Sequence, residues 1–322
     1  MTHAVRVVIP IIAVVLVGAA AACRADEPKL DLRLRLEKGQ TYALTVTVEQ
    51  TIRQLVDTGE PPADEQEIAQ KVVTGQAFHV EDVDADGAAT LKVTFGPMVM
   101  STDAMGVTIE YDSADPPDEV PHAARSLAAI TGQSFTVTVK PDGAILRFDG
   151  IDAMLEAAGK ALDLPDEKRK LLAEDLERQF GQTALKDMMA GNLDYIPDRP
   201  VAVGDTWTST FTVESGFPAA CTTTYKLLAR KDGVATIEAK TKLTPNADAP
   251  PQKLAAASVR YKLEGTQEGS FTIDEATGWY VAGRLTQKLK GEMLVSGLAN
   301  QAEGEELSIP TIIESTITIG TR

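Results

Sequence analysis

Apolar residues recur at every second position through one segment of this chain after another. Leu32, Leu34 and Leu36 alternate with charged residues, and Tyr42, Leu44, Val46 and Val48 alternate with Ala, Thr or Glu. The same period runs through Leu91-Val93-Phe95, Phe135-Val137-Val139, Phe211-Val213, Val259-Tyr261-Leu263 and Ile313 to Ile319. Successive side chains of a strand point to opposite faces, so each segment reads as a half-buried antiparallel strand with one polar face. Threonine is abundant on the polar phase, as strands favour. Asp86-Gly87, Asp142-Gly143 and Asp232-Gly233 each separate two such segments. Asp-Gly supplies the positive φ angles of tight hairpin turns, so these joints are antiparallel hairpins.

The period changes in the middle of the chain. Ile151, Met154, Leu155 and Ala158, then Leu171, Leu172, Leu176 and Phe180, follow helical spacing. Pro165 suits a helix first turn, and Asp166 and Glu167 suit its positive end. Gly181 breaks this helix, Thr183 is placed to cap a short third one, and Gly191 is expected to end it. A smaller helix is expected at 123–131. The apolar spacing on one side packs these helices on the sheet. The stretches Gly59-Glu60-Pro61-Pro62, Asp115-Pro116-Pro117-Asp118 and 245–251 read as exposed loops.

The two β regions resemble each other in order. Gly39-Gln40-Thr41-Tyr42 corresponds to Gly204-Asp205-Thr206-Trp207, and the segment from Val83 through Asp86-Gly87 to Leu91 corresponds to the one from Leu228 through Asp232-Gly233 to Ile237. Gly132-Gln133-Ser134-Phe135-Thr136-Val137 corresponds to Glu268-Gly269-Ser270-Phe271-Thr272-Ile273. The fold class expected is therefore α+β, mostly β: antiparallel sheets forming a half-barrel or a sandwich from two similar halves, with a helical insert between them. The boundaries are 1–25 for a leader, 26–149 for the first half, 150–191 for the insert and 192–322 for the second half, with 26–322 one domain.

The leader carries Arg6, the apolar run Val7 to Val17 and the small residues Gly18 to Ala22. That order is the n-region, h-region and cleavage zone of a secretory signal. Cys23 after Ala20-Ala21-Ala22 is a candidate for lipidation, and simple cleavage after Ala22 or Ala25 is the alternative. The localisation expected is exported: periplasm, outer membrane or cell surface. The chain carries 31 basic against 47 acidic residues, a formal charge of −16. Such a field repels nucleic acid and anionic lipid heads, so no nucleic-acid partner is expected and membrane contact only through an N-terminal lipid anchor. With Cys23 removed or acylated, Cys221 stands alone, which excludes a disulfide framework. It shares the phase of Thr223, Tyr225 and Leu227 and reads as a small buried hydrophobe.

Motifs of chemistry are scarce. His79 and His122 lack metal-ligand spacing, and G-x-S-x-G, P-loop and G-x-G-x-x-G strings are absent. Asp82, Asp84 and Asp86 followed by Gly87 match the first half of a calcium loop, but Val93 stands where the bidentate Glu belongs, and a turn is the simpler reading. Trp207 and Trp279-Tyr280 near strand starts fit core packing, with the wall of a sugar or lipid site as the alternative. No catalytic residue, cofactor or firm metal site is assigned.

The run Leu36-Glu37-Lys38-Gly39-Gln40-Thr41-Tyr42 with Gln50-Thr51-Ile52 resembles the opening of an uncharacterised family of bacterial exported proteins, a domain-of-unknown-function group. Ile109-Glu110-Tyr111-Asp112-Ser113, Gly132 to Val137 and Pro141-Asp142-Gly143 are similar to its later segments. The resemblance implies an exported β-rich protein and supplies no catalytic residues. A sheet wrapping helices also resembles, by architecture alone, the half-barrel of periplasmic lipoprotein carriers. The function expected is a non-enzymatic envelope protein holding a lipid-like apolar or amphipathic ligand in a β-lined groove. A structural module that binds another envelope protein is the alternative, and a hydrolase without a recognisable motif is the third.

Overall fold

Alternation is realised as strands almost throughout. A computed structural model describes residues 28–56, 64–254, 257–298 and 305–321; the leader with Cys23, and the loop at Gly59 to Pro62, lie outside them. The first half supplies β1 (Thr41–Val56), β2 (Asp64–Val83), β3 (Ala89–Ala104), β4 (Val107–Asp112), β5 (Ser134–Val139) and β6 (Ile145–Asp149). The second supplies β7 (Thr206–Val213), β8 (Ala219–Lys231), β9 (Val234–Pro245), β10 (Gln252–Leu254), β11 (Ala257–Asp274), β12 (Tyr280–Ser296) and β13 (Glu306–Gly320). Among the described residues they form one antiparallel sheet of 13 strands in the order β6-β5-β3-β2-β1-β13-β12-β11-β9-β8-β7, with β4 on β3 and β10 on β11. One continuous sheet leaves no partner for a sandwich, so the half-barrel alternative is the one realised.

The two halves are alike in hydrogen bonding as well as in sequence. Gly39 N–H donates to the Val80 carbonyl and Val80 N–H to Gln40; Gly204 N–H donates to Leu227 and Leu227 N–H to Asp205. A bulge follows Val80 in the β2–β3 ladder and Leu227 in the β8–β9 ladder. Phe135 faces Val93 across β5–β3 as Phe271 faces Ile237 across β11–β9. The hairpins differ in length and in turn geometry, since at Asp86-Gly87 only the glycine has a positive φ, 82°. Asp232 and Gly233 form a two-residue turn with φ of 52° and 78°, the geometry Asp-Gly favours. β13 lies between β12 and β1 and joins the halves into one sheet.

The insert folds as α2 (Ile151–Lys160), α3 (Asp166–Phe180) and α4 (Gln182–Leu193), and α1 (Arg125–Ile130) follows a short 3-10 turn at His122–Ala124. Ile151, Met154, Ala158, Leu172 and Leu176 are buried as their spacing predicts, whereas Leu171 is exposed. Two helix limits differ from expectation. Gly181 closes α3 and is itself the N-cap of α4, which puts Thr183 inside the first turn. Gly191 lies within α4 rather than ending it, and a Cβ there would stand 3.5 Å from the Phe211 ring. Its small size lets the helix lie close to β7. Among the described residues no helix is long and apolar enough to cross a membrane.

The alternating leucines at the N-terminus are the clearest departure. Leu30 to Leu36 is extended, but among the described residues it carries only the bridge Leu30–Val201. It runs as a strap: Leu34 N–H donates to Pro141 in the β5–β6 turn, and Arg35 N–H to Thr277 in the equivalent β11–β12 turn. All four leucines enter the main core, with Leu32 only 1% exposed. Alternation arises here because one side of the strap faces the core and the other faces water. Burial of a leucine contributes roughly 1.5–3 kcal/mol. We expect Leu32→Ala to cost about 2–5 kcal/mol, read as a lowered urea midpoint, with Leu171→Ala within about 0.5 kcal/mol of wild type.

Candidate functional site

Strand register places nine uncharged polar residues in one row across the core-facing side of the sheet. Thr102, Gln70 and Gln50 occupy it on β3, β2 and β1, and Ser315 continues it on β13. Gln287 and Gln267 follow on β12 and β11, and Thr241, Thr223 and Ser209 on β9, β8 and β7. Neighbours in this belt bond to each other: Gln50 Nε2 donates to Gln70 Oε1 at 2.7 Å, and Gln70 Nε2 to Thr102 at 3.3 Å. Gln287 Nε2 donates to Gln267 Oε1 at 3.2 Å, and the hydroxyls of Thr223 and Thr241 lie 3.0 Å apart.

The belt divides the inner face into two apolar bands. On one side, Tyr42, Leu44, Val46, Phe271, Ile237 and Leu227 pack with the strap and with α2–α4 in the main core. That core is full. The space left among Leu44, Phe78, Met189 and Trp279 is about 20 Å³, at most one water.

On the other side, Leu263, Leu289 and Ile313 gather Ile52, Leu243 and Tyr261 into a cluster made of strand residues alone. Beyond it Ile309 and Met293 continue the face half-buried. From Gln287 to the end of β12 this band extends about 30 Å. The glycines of β11 and β12 shape it. A Cβ on Gly265 would stand 1.9 Å from the Lys288 carbonyl oxygen, and one on Gly291 equally close to that of Lys262. Only glycine permits so close an approach of the two strands. A cleft of about 590 Å³ adjoins the band through Tyr261 and is walled by Phe180, Met188, Val213 and Phe217. The charges in its walls are spent: Arg178 pairs with Asp175, and Asp187 Oδ2 accepts from Glu214 N–H, Ser215 N–H and the Ser215 hydroxyl.

The outer face carries the charge. Lys71 pairs with Glu49 at 2.9 Å, Lys262 with Glu292 at 3.1 Å and Lys288 with Glu314 at 3.3 Å. A depression of about 460 Å³ over Ala69 is bordered by two of these exposed pairs, Lys71–Glu49 and Lys288–Glu314. They contribute little to stability and mark a solvated surface.

At the β7 end the belt meets a carboxylate. The edges β6 and β7 face α4 across a seam of about 850 Å³ lined by Phe148, Ala190, Asp194, Ser209 and Phe211. Asp194 caps the C-terminus of α4. The Tyr225 hydroxyl donates to its Oδ1 at 2.5 Å, while its Oδ2 is buried without a hydrogen-bond partner among the described residues. Burial pushes this carboxyl up to about 6, against the hydrogen bond from Tyr225 and the nearby Ser209 hydroxyl, which favour the charge without satisfying Oδ2. An aromatic nest surrounds it. Tyr195 and Tyr280 rings lie 5.1 Å apart, and Trp207 stacks on Tyr225 at 5.7 Å. The Trp207 indole donates to the Tyr195 carbonyl at 2.9 Å, and the Tyr195 hydroxyl to Gly278 at 2.5 Å. Trp207, Trp279 and Tyr280 are thus packing residues of this interior.

The other residues singled out in the sequence lie apart. Asp82 pairs with Lys38 at 2.8 Å, and Asp84 Oδ1 accepts from the backbone of Asp86 and Ala88 within its own turn. His79 bonds the Thr41 hydroxyl at 2.9 Å on the surface, and His122 opens the 3-10 turn, far along the chain from it. Cys221 is buried on the inner face, where burial together with Asp194 and Asp187 pushes its thiol up to about 11. Asp194 and the belt had no sequence motif to announce them.

Because the folded-state pKa of Asp194 lies above its unfolded value, the folded state binds the extra proton. Stability from this group is full below about pH 4 and is lost as pH rises through about 6, a change of about 3 kcal/mol. Asp194→Asn keeps the acceptor for Tyr225 and removes the charge. We expect it to match wild type at pH 4 and to exceed it at pH 7.5, measured as urea midpoints at both values; parallel pH profiles would contradict this.

No curated protein matches the chain. Among solved structures it is similar to a lipovitellin chain described for its lipid–protein interactions, at 13% identity and a TM-score of 0.45, covering 89% of this chain and 25% of that one. The chain thus spans about a quarter of the lipovitellin chain. It is also similar to DynF from the dynemicin pathway of Micromonospora chersina, at 9% identity and a TM-score of 0.21, covering 92% and 86% of the two chains. OccK7 (OpdD) of Pseudomonas aeruginosa follows at 6% identity and 0.20, covering 88% and 99%. A family model matches residues 86–280, from the first Asp-Gly turn through the helical insert to the start of β12. With more than half of its length matched, the chain belongs to the family of unknown function DUF6263.

Proposed function

We propose that this protein is an exported carrier or receptor for an apolar or amphipathic ligand, held on the inner face of the half-barrel. The observation that carries the reading is the apolar band beyond the belt. It consists of strand residues, continues half-buried past the helices, and adjoins a 590 Å³ cleft with aromatic and aliphatic walls. Clefts of this size and lining suit small-molecule ligands. The space around Met189 under the helices, about 20 Å³, is too small for such a ligand.

Export rests on the order of Arg6, the apolar run and the small residues before Cys23. Intact mass of the protein purified from its own envelope tests it: a chain beginning at or near residue 23 is expected, and one retaining Met1 overturns export. Native mass spectrometry of the same material tests the ligand. A bound, denaturation-releasable mass of lipid size is expected. Protein that is ligand-free and also fails to take up the hydrocarbon probe diphenylhexatriene overturns the carrier reading. Tyr261→Asp, which places a charge where the band meets the cleft, is expected to lower probe affinity at least tenfold.

A further inference from the structure

Around the belt and the strand-only band, the inner phase of the sheet carries no charged side chain. From Gln66 on β2, along β8 from Ala219 to Leu227, and across β1, β3, β7, β9 and β11–β13, no core-facing position of the register holds Asp, Glu, Lys, Arg or His; beyond the bulge at the far end of β8, Arg230 faces Ala235 and pairs with Glu275 at 2.7 Å. The charged residues of these stretches project from the other face, as Lys71–Glu49 and Lys288–Glu314 do. Yet the face is not uniformly apolar, because the belt crosses it. Purely hydrocarbon contents need no such row, and nine polar side chains there each cost desolvation unless they are bonded.

Internal bonds leave part of the belt unspent. Gln50 and Gln287 each use one amide donor on a neighbouring glutamine, and Ser315 sits between them. Among the described residues the Oε1 atoms of Gln50 and Gln287 and the Nε2 of Gln267 have no side-chain partner. The centre of the belt therefore offers both donors and acceptors, at the border of the band that adjoins the cleft.

Resting on the carrier reading above, we infer that the ligand is a neutral amphipath: a long hydrocarbon chain along the strand-only band with a hydroxyl or ester head hydrogen-bonded to Gln50, Ser315, Gln287 and Gln267. An ionised head would be buried there without a counter-charge, which is far more costly than burying a neutral group that is hydrogen-bonded. An anionic head is further opposed by the chain's formal charge of −16. That same field attracts a cationic head from a distance, so rejection of a cation isolates the effect of the belt.

Three probes with one chain length and different heads decide the matter: monopalmitoylglycerol, palmitate and hexadecyltrimethylammonium, each titrated below its critical micelle concentration against protein-bound diphenylhexatriene at pH 7.5. Monopalmitoylglycerol is expected to displace the probe at concentrations at least tenfold lower than either ion. In Gln50→Leu/Gln287→Leu that advantage is expected to fall about tenfold while diphenylhexatriene still binds. Equal displacement by all three, or preference for an ion, overturns the neutral-head assignment and leaves the carrier reading standing. No uptake of diphenylhexatriene by wild type overturns both. Should the double variant not fold, the wild-type ranking alone decides.

Discussion

A sheet this wide with a largely apolar inner face has two liabilities, unpaired edges and apolar surface, and α4 answers both. Edge strands present free N–H and C=O groups that invite pairing with other chains. Closing β6 onto β7 would remove them, but would leave no room for the insert. Instead α4 sits at the seam, touching both edges, with Gly191 against Phe211 on the β7 side. Its buried residues Leu185, Met189 and Leu193 fill the main core behind the seam. The strap then ties the two equivalent hairpins together at Pro141 and Thr277, so that the curvature of the sheet is fixed at its base as well as at its edges.

The seam also holds a carboxylate brought against the inner face. Asp194 follows directly from the end of α4, and the nest of Tyr195, Tyr225, Tyr280 and Trp207 assembles around it. An acceptor left without a partner in such a place costs on the order of 1–3 kcal/mol. Its compensation is local order: the Tyr225 hydroxyl fixes β8 against the helix end, and the Tyr280 hydroxyl donates to the Asn192 carbonyl, two residues back, at 2.9 Å. The helix is thus pinned to both β8 and β12 through phenolic groups whose rings are packed in the core. Burial pushes the Tyr195 and Tyr225 hydroxyls well above the usual tyrosine range, which keeps both as donors.

Local patterns revealed the elements and concealed the surface they build. Strands, Asp-Gly hairpins and the apolar stripes of α2 and α3 follow from nearest neighbours in sequence, and those were legible. So were the paired halves, since Gly39 and Gly204 open equivalent strands with equivalent hydrogen bonds. Leu30 to Leu36 misled because alternation reports one-sided burial, and an extended strap buries one side as a strand does. Gly191 misled because the need for a small residue at a helix–strand contact looks, in sequence, like a stop. The belt was hidden for a different reason. Ser209, Thr223, Thr241, Gln267, Gln287, Ser315, Gln50, Gln70 and Thr102 are ordinary polar residues in apolar phases of separate strands, and only the register of eight ladders puts them in line.

The join between the halves explains why the belt is continuous. Each half repeats a five-stranded meander, β1-β2-β3-β5-β6 and β7-β8-β9-β11-β12, and alone each would be an open sheet with its own edges. β13 pairs with β12 on one side and β1 on the other, and its register sets Gln50 and Gln287 opposite the same residue, Ser315. A slip of one residue on either side would turn the inner face of a whole half outward. Two features guard against it. The inner phase of β13 is Leu307, Ile309, Thr311, Ile313, Ser315, Ile317 and Ile319, while its outer phase includes Glu306 and Glu314, so a slip buries carboxylates. The outer pairs Arg53–Glu314 and Lys288–Glu314 hold one carboxylate between cations from both neighbouring strands. The final strand therefore does more than close a gap: it sets the two halves in phase, and the surface that neither half possesses alone is centred on it.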